Sequence, residues 1–204
     1  IKALEFLNIP LIIVRTEKEQ IEVFENVCRH RGMILVEENA KQKKHIRCPY
    51  HNWCYGIDGK LVSTPHVGGI GKHSHKDVKK NELGLNKVSS HVWNDTIFIN
   101  ITGNALTFDD HFSKLKKRWS DFDQPMFFGG NDSGFSMCLN ANWKLAIENY
   151  CESYHLPSVH PELNKTSKLS DHYHICESEN YSGQGSFLYN QISDKSMVFP
   201  DFKN

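Results

Sequence analysis

Four side chains with affinity for metals, grouped as two short pairs, constrain this chain more than anything else in its sequence. The stretch NVCRHRG (26–32) carries Cys28 and His30, and CPYHNW (48–53) carries Cys48 and His51, with 17 residues between the pairs. A site made from all four needs the two stretches to be loops brought side by side, and the surrounding sequence supplies a scaffold for that. From Ile9 to about Ile101 it reads as short strands, IPLIIVR, IEVFENV, KHIRC, WCYGI, KLVS, HVW and TIFINI, separated by turns. Asp58-Gly59, between WCYGI and KLVS, is a strong tight-hairpin signal. This half is predicted to be all-β.

The alternation of ligand types narrows the chemistry. Structural zinc also takes two Cys and two His, but its usual spacing groups Cys with Cys and His with His. One Cys and one His from each loop suits a [2Fe-2S] cluster of the Rieske type, in which one iron takes two thiolates and the other two imidazoles. Zinc stays open as the alternative. Trp53 either packs over such a cluster or is a plain core aromatic, and Cys54 reads as a small buried hydrophobe.

After Asn104 the pattern changes to helical spacing, first in FDDHFSKLKKRW and then in NANWKLAIENYCESYHLP, flanked by strand-like GFSMCLN (134–140) and GSFLYNQI (186–193). This half is predicted to be α+β. Within residues 142–163, Trp143, Ile147, Tyr150 and Tyr154 recur as an apolar stripe, while Glu148, Glu152 and His155 follow i, i+4, i+7 on another face of the same predicted helix. His160 follows five residues after His155, and an unbroken helix would hold the two rings about 140° apart. Pro157 removes a donor and disfavours helix at Leu156, so the chain is expected to bend there and the imidazoles to converge. Two His and one carboxylate on one face of an iron leave positions open for oxygen and substrate.

With both sets of residues in view, the two loops, spaced C-x-H-x17-C-x2-H, resemble the cluster loops of Rieske non-haem iron oxygenases. Respiratory-type Rieske proteins add a cysteine to each loop to form a disulfide. Met33 and Tyr50 stand at the corresponding positions here, which favours the oxygenase or ferredoxin branch and the low end of a range of roughly −150 to +300 mV. Asn52 stands where the family usually has Gly, and Asn tolerates the left-handed backbone of such a turn. The later segment resembles the family's iron-binding motif [D/E]-x2-H-x4-H, satisfied by Glu152, His155 and His160.

The resemblance covers nearly the whole chain and implies the α (large, terminal oxygenase) subunit of the aromatic-ring-hydroxylating dioxygenase-like family. It implies an all-β Rieske domain over 1–102, then the N-terminal part of an α+β, helix-grip (START-like) catalytic domain over 103–204, truncated here. Cys28, His30, Cys48 and His51 would hold the cluster and His155 and His160 the mononuclear Fe(II). Glu152 would bridge to a neighbouring subunit's cluster, and Asn149 would lie near the iron. The third ligand, a carboxylate, is expected beyond residue 204, since Asp171, Asp194 and Asp201 sit in no matching context. Electrons would come from NAD(P)H through a flavin reductase, directly or by way of a ferredoxin. The subunits would form a homotrimer, with or without β subunits, and act with O2 on a small organic substrate. Glu at 152 resembles the branch acting on quaternary ammonium compounds; aromatic-ring hydroxylases share the rest of the motif. A Rieske ferredoxin-like carrier is the competing class, but a carrier has no use for Glu152, His155 and His160.

Composition excludes other classes. Lys plus Arg and Asp plus Glu are 24 each, and the lysine-rich spots at 41–44 and 114–118 are too short for a nucleic-acid surface. The longest aliphatic run, Ile9–Val14, cannot cross a bilayer. Six cysteines without disulfide-framework spacing fit a reducing cytoplasm. His66, His73, His75 and His91 are read as surface or packing residues, and His172 and His174, in DHYHI, as strand residues with pocket lining as the alternative.

Overall fold

The computed structural model describes residues 1–41, 44–124, 129–130, 134 and 136–188. The chain divides into two compact units, Ile1–Ala105 and Leu106–Asn204.

The first unit is built on two sheets, with a short 3-10 turn at Lys80–Glu82. Strands β1 (Lys2–Phe6), β2 (Ile9–Arg15), β3 (Ile21–Glu25), β7 (Lys87–Trp93) and β8 (Thr96–Asn100) form an antiparallel sheet in the order β1-β2-β3-β7-β8. A second antiparallel sheet runs β4 (His45–Arg47), β5 (Cys54–Gly56), β6 (Leu61–Ser63). Alternation along β2 explains why both faces of the larger sheet are covered. Ile12 and Val14 face a core shared with Phe24 of β3, Ile46 of β4, Tyr55 of β5 and Leu61 of β6. Leu11 faces the other way, with Val23 and Val88. Fully burying side chains of this kind stabilises a fold by about 1.5–3 kcal/mol each. The main core therefore lies between the two sheets and reaches the cysteines, since Cys28 and Cys48 belong to it.

The Asp58-Gly59 turn forms as the sequence predicts, with Gly59 at φ 79° and its neighbours closed by the Gly56 N–H to Lys60 C=O bond at 2.8 Å. Only glycine fits there, because a Cβ would stand 2.5 Å from the Phe24 ring. Strand β1 escapes the sequence reading. Its hairpin to β2 turns through Leu7 and Asn8, both at positive φ (51° and 62°), with no glycine to announce it.

The second unit holds helices α1 (Phe108–Arg118), α2 (Trp143–Cys151), α3 (Leu156–Val159) and α4 (Pro161–Thr166), then the hairpin β9 (His172–Ile175) and β10 (Gly183–Ser186). Thr107 caps α1 by accepting the Asp110 N–H, and Asn142 caps α2 by accepting the Lys144 N–H. In α1, Asp109 and Asp110 fill the first turn and Lys116, Lys117 and Arg118 the last, matching the helix dipole.

Three expectations fail in this unit. The helix predicted to run through His155 ends at Cys151, and Glu152 is extended at φ −115°, ψ 146°. Pro157 does not keep Leu156 out of a helix: Leu156 opens α3 and Pro157 occupies its first turn, where a missing N–H goes unused. The apolar residues Trp143, Ile147, Tyr150 and Tyr154 are exposed. No strand forms among the described residues of 134–140, and of 186–193 only Ser186 is in a strand, residues 189–193 lying outside the described residues. No helix among the described residues is long and apolar enough to cross a membrane.

Candidate metal centres

The two loops of the first unit are built on one plan. In the first, Cys28 N–H donates to Met33 C=O (2.8 Å), Gly32 N–H donates to Cys28 C=O (2.9 Å), and Gly32 sits at φ 73°. In the second, Cys48 N–H donates to Trp53 C=O (2.8 Å), Asn52 N–H donates to Cys48 C=O (3.0 Å), and Asn52 sits at φ 58°. Each loop thus closes five residues after its cysteine and turns on a left-handed residue at the fourth. Asn52 adopts in full the conformation expected of it.

Asn26, buried just ahead of the first loop, braces its far side. Its Nδ2 donates to Val36 C=O (2.6 Å), and its Oδ1 accepts from the Leu35 and Val36 N–H groups (3.2 and 3.0 Å).

These loops bring like donors side by side, Cys28 beside Cys48 and His30 beside His51. Both cysteines are buried, His51 is half-buried and His30 is exposed. The His30 and His51 rings meet edge to face with centroids 4.6 Å apart, and Trp53 stacks on His30 at 4.6 Å and 9°. Trp53 is therefore both a core aromatic and a support for His30. Burial raises the Cys48 thiol and nearby Cys28 raises it further, against backbone N–H groups of His51 and Tyr50 that favour the thiolate. Burial, and after it the neighbouring His51 and Arg31, lower His30 and so favour the neutral imidazole a metal requires.

His51 Nδ1 is buried and has no hydrogen-bond partner. A buried ring nitrogen without a partner is costly unless something fills its lone pair, and a metal would. Two thiols and two imidazoles, delivered as one of each per loop, fit a [2Fe-2S] group.

The sequence reading missed Tyr55. Its side chain is fully buried, and its Oη accepts the Arg29 N–H (3.1 Å) and lies 3.3 Å from Cys28 Sγ. Burial pushes the phenol well above its usual range, so it stays a hydroxyl. A tyrosine in the strand leaving the second loop, facing the core, is the available signal, since a buried phenol seeks a polar partner.

In the second unit, His155 and His160 meet with ring centroids 5.3 Å apart at 73°. The convergence expected of these rings is present, but the bend lies elsewhere. Helix α3 is a single turn, and the chain breaks at His160 (φ −126°, ψ 58°), immediately before Pro161 opens α4. Glu152 Oε1 contacts His155 Nδ1, and Glu152 Oε2 accepts the Tyr154 N–H at 2.5 Å. Hydrogen bonding to His155 lowers the Glu152 carboxyl below its ordinary value. A carboxylate on Nδ1 fixes the ring and leaves Nε2 to a metal. Asn149 lies exposed in the last turn of α2.

Among the described residues no three or more His, Cys, Asp or Glu gather around one ion position. His66 and His73 pack edge to face at 5.1 Å in the loop after β6, and their Nδ1 atoms accept backbone N–H groups of Gly71 and His66.

Residues 1–82 match the family described as Rieske [2Fe-2S] domain, and residues 128–200 the family described as ring hydroxylating alpha subunit (catalytic domain). A glycine betaine monooxygenase oxygenase subunit of Pseudomonas aeruginosa is 35% identical over 158 residues, 77% of this chain and 35% of that protein. A carnitine monooxygenase oxygenase subunit of Escherichia coli is 26% identical over 197 residues, 97% of this chain and 50% of that protein. The chain thus spans half or less of the length of these relatives. A crystal structure of a quaternary ammonium Rieske monooxygenase superposes with a TM-score of 0.71 at 23% identity, covering 93% of this chain and 51% of that one.

Proposed function

Taking as premise that the chain belongs to the Rieske oxygenase α subunits, with a Rieske [2Fe-2S] domain ahead of ring-hydroxylating catalytic sequence, we propose that it is the electron-receiving and iron-binding part of a terminal oxygenase. In this reading Cys28, His30, Cys48 and His51 hold the cluster, and His155 and His160 hold Fe(II). When bound, the cluster supplies a one-electron store and the ferrous ion the place where O2 is cleaved and oxygen enters an organic substrate.

The chain's own residues do the positioning. Buried Cys28 and Cys48 keep the sulfur side dry, while exposed His30 leaves the imidazole side open to a partner. With Cys28 as a ligating thiolate, which has no hydrogen to give, Tyr55 directs its hydroxyl hydrogen at Cys28 Sγ while its oxygen accepts from Arg29. Glu152 keeps hydrogen on His155 Nδ1 and so holds Nε2 as the metal-binding nitrogen. Its Oε2 has a second lone pair beyond the one used by Tyr154, available to a cluster imidazole of a neighbouring subunit in a ring-closed trimer. Electrons come from NAD(P)H through a flavin reductase, with or without an intervening ferredoxin. A quaternary ammonium substrate is favoured over an aromatic ring, on the likeness to the betaine and carnitine monooxygenases.

The observation that carries the reading is the buried His51 Nδ1 without a partner, set between two loops of one design. Anaerobically purified protein is expected to hold two irons and two sulfides, to give the reduced-state EPR signal of a Rieske centre, and to lose it on Cys48→Ser. Stoichiometric zinc without sulfide would overturn the reading. The competing carrier reading has no role for the paired His155 and His160 or for Glu152. Oxidation of betaine, carnitine or an aromatic substrate by the full chain with its reductase separates the two, and a chain that passes electrons without consuming any substrate is a carrier.

A further inference from the structure

A chain of hydrogen bonds behind the second centre ends on the helix that leads into Glu152. Ser167 Oγ and His172 Nε2 are 2.7 Å apart, His172 Nδ1 and Gln184 Oε1 are 3.1 Å apart, and Gln184 Nε2 donates to the Tyr150 carbonyl at 2.6 Å. The last contact fixes the direction of the others. Only the amide nitrogen of Gln184 can donate to a carbonyl, so Oε1 is the acceptor for His172, and Nδ1 carries the hydrogen. Nε2 of the neutral ring is then an acceptor, and the Ser167 hydroxyl fills it.

The hairpin geometry makes this alignment possible. His172 pairs with Ser186 and His174 with Gln184, so His172 and Gln184 are diagonal neighbours on one face of β9 and β10. On the other face Tyr173 lies across Gly185, where a Cβ would stand 2.6 Å from the tyrosine ring. Ser167 is buried, so the far end of the relay is anchored in packed structure.

The near end meets an unmet need. Tyr150 is in the last turn of α2, whose final four carbonyls have no partner within the helix. Two residues on, Glu152 leaves the helix in extended conformation, accepts the Tyr154 N–H and holds His155 Nδ1. Whatever fixes the end of α2 therefore fixes where Glu152 begins.

We propose that Ser167, His172 and Gln184 are positioning residues that tie the end of α2 to the β9–β10 hairpin and thereby set the orientation of the Glu152–His155 pair toward its metal. This rests on the reading of His155 as an iron ligand.

The test uses the full chain loaded anaerobically with Fe(II), comparing Gln184→Glu and Gln184→Leu with the unmodified protein. Glutamate keeps length, shape and an acceptor for His172 but has no hydrogen for the Tyr150 carbonyl; leucine removes both contacts. If the leucine variant fails to fold, the glutamate variant decides. The expected result is a rise of about 10-fold in the Fe(II) dissociation constant, the low end of the range for outer partners of metal ligands. A changed rhombicity in the EPR spectrum of the ferrous nitric oxide adduct should accompany it, with the cluster signal unaltered. Wild-type affinity and spectrum in the decisive variant would overturn the proposal. So would weakened binding with an unchanged nitric oxide spectrum, which would leave the relay a purely structural role. A parallel His155→Ala variant separates the two levels: if it binds Fe(II) as the unmodified chain does, the iron reading itself falls and the relay proposal falls with it.

Discussion

Replacing Tyr55 with Phe removes one oxygen from the wall of the cluster site and leaves the buried ring in place. That oxygen accepts the Arg29 N–H at 3.1 Å, so its own hydrogen is free for Cys28 Sγ at 3.3 Å. A hydrogen bond to a charged group contributes about 1.5–3 kcal/mol and a neutral one about 0.5–1.5. A cysteinate sulfur becomes more electron-rich when the cluster it ligates is reduced, so the bond should strengthen on reduction by about 1 kcal/mol, the spacing between those two ranges. For a one-electron couple 59 mV corresponds to a tenfold change in equilibrium constant, or about 1.4 kcal/mol. Tyr55→Phe is therefore expected to lower the reduction potential by about 40 mV. The assay is a redox titration followed by the EPR signal of the reduced cluster, with iron and sulfide measured on the same sample. A variant with full cluster content whose potential lies within about 10 mV of the unmodified protein would refute the argument, since that leaves less than about 0.25 kcal/mol for the bond to contribute.

Three further expectations follow from the geometry. Asn26→Ala removes three hydrogen bonds bracing the first loop, one buried and two half-buried, and is expected to destabilise the first unit by about 2–3 kcal/mol, read as a fall of about 10–20 °C in Tm; a fall of under about 3 °C would show that the loop holds itself. The Glu177 carboxyl is held from 4.5 down to about 2 by the bidentate Arg118 and by Tyr181. A depressed carboxyl stabilises the fold above its ordinary value and loses that contribution as pH falls from about 4.5 toward about 2. The acid unfolding curve of Glu177→Gln should therefore be flatter in that window, most visibly at low salt because the pair is exposed, and parallel curves would sink the assignment. Glu152→Gln, which keeps an acceptor for His155 but loses the charge, should retain iron and cluster yet slow single-turnover oxidation of the reduced cluster by about 10- to 100-fold; an unchanged rate with full metal content would show that Glu152 is not the bridge.

The cluster loops were legible because their requirements are local. Ligand type and spacing are written in a few consecutive residues, and the left-handed turn at Asn52 follows from one side chain's tolerance of positive φ. Strands β2 through β8 were legible for the same reason, as apolar runs with turns between them. What stayed hidden depends on partners distant in sequence. Tyr55 matters through Arg29 and Cys28, 26 and 27 residues away, and β1 is a strand because its residues pair with β2 through a turn that lacks the usual glycine. Trp143, Ile147 and Tyr150 mark a face of α2 by period, while Tyr154 lies past the end of the helix; period says nothing of what covers that face, and in the described residues it is exposed.

The Glu152–His155 contact shows how a correct pairing can rest on a wrong backbone. Residues three apart meet on one face of a helix, and the sequence puts Glu152 and His155 on one face of the predicted helix. In the structure the helix has already ended at Cys151, Glu152 is extended, and the pair meets across a turn that begins at Ser153 and closes through the Leu156 N–H to Ser153 C=O bond at 3.0 Å. The carboxylate reinforces that turn by accepting the Tyr154 N–H at 2.5 Å while it holds His155 Nδ1. A helix would spend the Tyr154 N–H on the carbonyl of Tyr150, four residues back. Here that carbonyl is bonded by Gln184 instead, and the freed amide is the one that orients Glu152. The break in α2 is thus part of the site: it releases one backbone donor to fix the carboxylate and one backbone acceptor to fix the helix end. Both would vanish if the helix ran on to His155.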